Sequence, residues 1–276
     1  MKTALICHDD DHLNRQALPR WMASFSEIVG IVSIAERREQ TKNRIKRELR
    51  RVGPLRFLDV LAYRVYHRLF VAARDAAYES RLIRHISSNY PSLPSDLPVL
   101  TTPSPNSRET REFLETLRPD LVIARCKVIL KREIFSIPRL GTYVMHPGIC
   151  PEYRNAHGCF WALSRRDLGK VGMTLLKIDE GIDTGPVFAF FSYPYDEVAE
   201  SHIVIQHRTV FENLDRIRDT LAEIEKGTAT PIDTRGRPSG NWGQPWLSKY
   251  LSWKRAARRR GQHEVHHSSV SRRRWR

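Results

Sequence analysis

The chain has 276 residues, 46 Lys and Arg against 31 Asp and Glu, a net charge of +15 and a pI near 10.0. That length holds one large domain or one domain with an appendage, and 41% apolar residues exclude a chain without a core. The charge favours anionic partners: phosphorylated small molecules, nucleic acid or a membrane surface.

The N-terminal residues MKTALICHDDDHLN carry too short an apolar run for a secretion signal, and no later run approaches the ~18 residues of a membrane span. A soluble, cytoplasmic chain with no membrane partner is expected. Cys7, Cys126, Cys150 and Cys159 form no CxxC pair. Free thiols are expected, without disulfides and without a metal.

Thr3 to Cys7 and Glu27 to Ile34 read as strands around a helix over Arg15 to Phe25, the opening of a β-α-β unit. Asp9, Asp10 and Asp11 follow the first strand, as a helix cap and loop in preference to a metal site. Between Arg37 and Arg56 nine Lys/Arg meet only Glu39 and Glu48. Leu55, Leu58, Leu61, Val65 and Leu69 then recur at helical spacing, so residues 37–90 read as one or two amphipathic helices inserted into an α/β framework. The alternation resumes with a short strand at 98–100, a helix at 107–117, a strand at 120–124, a helix at 130–137 and a strand at 141–145 that ends at His146. A helix at 156–165, strands at 171–178 and 186–193, and one long helix at 201–226 follow.

This alternation predicts a mostly parallel, doubly wound sheet, in which ligands sit at the carboxyl ends of the strands. A domain over 1–230 is expected, followed by a basic extension over 231–276, partly disordered. Residues 249–276 carry ten Lys/Arg and one acid, suited to weak, non-specific nucleic-acid binding.

His146 stands at a strand end and precedes a proline. Asp183 lies 37 residues later, inside DEGIDTGP. A buried histidine and a turn-forming aspartate are the plain readings. Together they offer a proton-transfer group and a carboxylate to orient it. The text VMHPGICPEYRNAHGCFWAL followed by GMTLLKIDEGIDTGPV resembles the formyltransferases that use 10-formyltetrahydrofolate, with their strand ending in Asn-x-His-Pro and a later D-E-x-x-D-x-G turn. The resemblance covers roughly residues 98–226.

It implies a Rossmann-type formyltransferase fold, with His146 and Asp183 as catalytic residues and 10-formyltetrahydrofolate as formyl donor. It also implies that Val128, Ile129 and Leu130 form one wall of a folate pocket, and Asp179, Glu180, Gly181 and Ile182 the other. Lys127 and Arg154 are candidates for binding an anionic amine acceptor, phosphorylated or nucleotide-linked, or the glutamate of the folate. The family's Asn two residues before the His is Val144 here, which cannot donate to the formyl oxygen. Asn155 and His157 are the candidate substitutes. A formyl-folate hydrolase and a non-catalytic folate- or RNA-binding protein are the alternatives.

Overall fold

The structure, a computed structural model, describes residues 1–272, with side chains described through Arg260. Seven strands form one sheet in the order β3-β2-β1-β4-β5-β7-β8. β1 (Lys2–His8), β2 (Glu27–Ile34), β3 (Val99–Thr102), β4 (Leu121–Arg125) and β5 (Gly141–His146) run parallel. β7 (Met173–Lys177) and β8 (Val187–Phe191) close one edge as an antiparallel hairpin. Runs such as EIVGIVSI and LVIAR suit strands buried on both faces.

Chain order reverses at β1, which lies between β2 and β4. The crevice at the carboxyl ends of β1 and β4 is therefore the expected ligand position.

One sheet face is covered by α1 (His12–Ala23), α4 (Ala72–Asn89), α8 (His202–Phe211) and α9 (Leu214–Lys226), through Leu18, Trp21, Ile86, Val210 and Ile217. The other face carries α5 (Arg108–Leu117) and α6 (Arg132–Phe135), through Leu114 and Ile134. Asp11 caps α1 by accepting from Asn14 N, as the cap reading of the aspartates expects. Asp9 pairs with Arg15 and accepts from Ser33.

Three expectations need correction. Residues 37–90 form three helices, α2 (Arg38–Val52), α3 (Pro54–Phe70) and α4, and α4 belongs to the framework because Ile86 joins the main core. The inserted part is α2 and α3. The long helix over 201–226 is two, since Asn213 turns its amide back onto Thr209 O at 3.0 Å and competes with the helix ladder.

The extension is not a loose tail up to Arg260. β9 (Asn241–Trp242) and α10 (Leu247–Arg272) follow the last framework helix, and Tyr250, Trp253 and Ala257 are buried. There α10 joins α3 and α7 (Gly158–Ser164) in a second aromatic core containing Tyr63, Phe160, Trp161, Tyr250 and Trp253. The side chains beyond Arg260, on which part of the nucleic-acid expectation rests, lie outside the described residues.

Candidate active site

His146 is the last residue of β5 and pairs with Thr174 of β7. The residue is 3% exposed. Nε2 lies 2.7 Å from the Tyr153 carbonyl oxygen and Nδ1 lies 3.3 Å from Asp183 Oδ2. Both neighbours are acceptors, so both contacts are complete only when each ring nitrogen carries a proton. The contact to Asp183 is the longer, so Nδ1 is the nitrogen more easily freed toward a reactant.

Asp183 reaches this position from the β7–β8 turn with φ +52°, and its Oδ2 also accepts from Asn155 N at 2.7 Å. The loop after His146 must fold tightly over the ring. A Cβ on Gly148 would stand 2.5 Å from Tyr153 O and 2.9 Å from His146 Nε2, so only glycine fits there.

The C-terminal segment holds this loop from outside. β9 pairs with β6 (Arg154–Asn155). Trp242 stacks on Trp161 and Tyr153, with centroids 4.9 and 5.7 Å away, and donates Nε1–H to Glu152 O at 2.8 Å. Arg237 pairs with Glu152 at 2.6 Å. Sequence reasoning missed Tyr153, Glu152, Asn241 and Trp242. Tyr153 stood inside the motif, whereas nothing in the sequence near Trp242 marks its role.

The expected donors fare differently. Asn155 is no substitute for the missing Asn: its amide donates to Asn241 Oδ1 at 2.9 Å and Trp242 O at 2.6 Å, which uses both hydrogens. His157, with φ +56°, packs edge-on to His202 at 5.6 Å, and its buried Nδ1 has no partner. Burial, then the Lys127 charge, pushes its pKa down to about 4, so its imidazole is neutral near pH 7. Val144 shares a sheet face with His146 and packs among Cys150, Leu176, Val187 and Phe190.

Of the first expected folate wall, the Leu130 side chain is buried in the core below the sheet, which leaves only its main chain to face a ligand. Val128 is half-buried, and Ile129 is 55% exposed. The loop is pinned at the chain reversal, where Lys127 N donates to His8 Nε2 at 2.9 Å. His8 was also missed. Burial lowers its pKa, which suits a nitrogen acting as acceptor.

In the second wall, Asp179 turns inward to accept from Gly181 N and Thr184 Oγ1, and Glu180 is exposed. Arg154 donates to Ile182 O at 3.0 Å and so braces the turn, while Lys127 is exposed. No group of three side chains able to hold a metal occurs among the described residues.

A family model described as Formyl transferase matches residues 70–215, just over half of the chain. The chain belongs to the formyl transferase family. The methionyl-tRNA formyltransferase of Thermotoga maritima is 30% identical over 132 residues, 48% of this chain and 38% of that protein. That of Kosmotoga olearia is 38% identical over 92 residues, 33% of this chain and 29% of that protein. The chain thus spans well under half the length of these relatives. A sugar N-formyltransferase from a Shewanella species superposes with a TM-score of 0.53 at 16% identity, over 88% of this chain and 76% of that one, a likeness of fold. The formyl transferase match contains His146 and Asp183 but leaves out α2, nearly all of α3, β9 and α10.

Proposed function

We propose that this formyl transferase moves the formyl group of 10-formyltetrahydrofolate to an amine of a small acceptor, phosphorylated or nucleotide-linked. The observation that carries the reading is the His146–Asp183 pair, 3.3 Å apart at the carboxyl end of β5 within the matched region.

The residues around the pair fit a flat, amide-rich ring system. Half-buried Val128 and exposed Ile129 offer an apolar surface, and the 179–183 turn offers main chain held rigid by Asp179 and Arg154. The donor, when bound, supplies an activated formyl carbon. Asp183 fixes the orientation of the His146 ring through Nδ1. With Nε2–H donated to Tyr153 O, Nδ1 is the ring atom that can take up the proton of the attacking amine; once it carries that proton it can stabilise negative charge on the formyl oxygen. The apolar patch around Val144 excludes water on that side but contributes no hydrogen-bond donor.

For an anionic acceptor, the support is the cluster of Lys127 and Arg64 charges acting on His157. Both side chains are exposed.

A second reading, folate binding without transfer, is favoured by Val144 alone. Incubation with 10-formyltetrahydrofolate and a panel of amino sugars, aminonucleotides and phosphorylated amines, followed by mass spectrometry, separates the cases. Formylated amine with stoichiometric deformylated folate is expected. Deformylated folate without an amine product points to hydrolysis, and folate binding with neither product supports the second reading.

A further inference from the structure

Among the described residues, twelve large apolar side chains are exposed, and eight of them lie on α2 and α3: Ile45, Leu49, Leu55, Leu58, Leu61, Val65, Leu69 and Phe70. They are ordered, not scattered. On α3, Leu58, Leu61, Val65 and Leu69 follow 3- and 4-residue spacing and form a single stripe. The opposite side of the same helix is satisfied by the fold, with Val60 and Tyr63 buried and Tyr63 packed on Phe160, His202 and Tyr250. Leu58, Val65 and Leu69 are 61%, 58% and 68% exposed, a degree that leaves nothing of this chain's described part to cover them.

A contiguous apolar face of this kind marks a binding surface. Charge decides what it binds. Eleven Lys/Arg stand against three acids between Arg37 and Phe70. Lys46, Arg47, Arg50, Arg64 and Arg68 are exposed beside the apolar side chains. A second copy of the chain would bring these cations together at the contact. An anionic surface would neutralise them while the stripe enters an apolar phase. A helix face with apolar and cationic residues side by side meets both conditions at the boundary of a lipid bilayer.

We propose that the α2–α3 hairpin docks this chain on anionic membrane surfaces, with the α3 stripe inserted at the headgroup boundary and the α2 basic residues on lipid phosphates. This supplies the membrane partner that the hydropathy of the sequence did not. The hairpin also touches the catalytic end of the molecule: Gln244 N, two residues from Trp242, donates to Glu48 Oε1 at 3.3 Å, and Ser248 N donates to Asp59 at 2.9 Å.

The test is flotation of the full chain with vesicles of phosphatidylcholine, with and without phosphatidylglycerol. Two variants accompany it: Leu58→Ser/Val65→Ser/Leu69→Ser and Lys46→Gln/Arg47→Gln/Arg50→Gln. All are surface substitutions, so unchanged melting temperature and circular dichroism certify folding. Wild type should float with the anionic vesicles, weakly with the neutral ones, and be released by salt; each variant should bind at least about tenfold more weakly. Failure of wild type to float overturns the proposal. So does floating of the serine variant like wild type, which would mean charge alone acts. Concentration-dependent dimerisation abolished by the serine variant, without lipid binding, would assign the face to a second copy instead.

Discussion

His146 owes its position to a backbone carbonyl on one side and a carboxylate on the other, and neither partner can donate a proton to it. Replacing Asp183 with Asn keeps the shape but removes the carboxylate that faces His146 Nδ1 and accepts from Asn155 N. Turnover should fall by about 10²–10⁴, with folate affinity nearly unchanged in a titration. Val144→Asn tests the missing donor directly. If the formyl oxygen lies over Val144, the variant should turn over up to about a hundredfold faster, as expected from one added oxyanion contact. An unchanged rate would mean that another group supplies that contact.

The buried histidines give a pH signature. His157 is lowered from 6.5 to about 4, and His202 is held well below 6.5 by burial and by His157. As pH falls through 6.5 the unfolded chain binds these protons first, so stability declines from there down to about pH 4. His157 contributes about 2–3 kcal/mol to that loss. Urea unfolding between pH 7 and 4.5 should show the slope, and His157→Asn should flatten it.

At the scale of elements, what the sequence disclosed follows the strength of each local signal. The strands around EIVGIVSI and DLVIA and the motif at His146 combine a clear pattern with clear boundaries, and they occur where expected. The break at Asn213 was hidden because the apolar spacing runs through it, and the interruption rests on Asn213 itself, with φ −121° and a side-chain amide shared between Thr209 O and Ser192 O. Asn155 looked like a free donor because its partners, Asn241 and the Trp242 carbonyl, lie more than 80 residues away. β9 is two residues long, so no periodicity could announce it. Its importance is nevertheless large, since Trp242 covers Tyr153, whose carbonyl holds His146. Trp242→Ala should destabilise the protein by about 2–4 kcal/mol in denaturant unfolding and lower turnover, by loosening the loop that carries His146.

For the molecule as a whole, the segment after residue 230 packs on the domain before it. Tyr250, Trp253 and Ala257 of α10 are buried, and Lys254 donates to the Glu197 carbonyl at 2.7 Å. A chain ended after residue 230 would expose the aromatic core around Tyr63, Phe160 and Trp161. It should lose its near-ultraviolet circular dichroism and cooperative melting; retention of both would restore the sequence boundary. The parallel sheet, its reversal at β1 and the hairpin edge place His146 and Asp183 together regardless of the inserted α2 and α3, which explains why the motif was legible through a long insertion. The claim that this pair does the chemistry is tested most directly by steady-state deformylation of 10-formyltetrahydrofolate in the presence of an accepted amine, comparing wild type with His146→Ala. The account predicts a loss of at least about 10² in turnover with folate binding retained; turnover equal to wild type would contradict it.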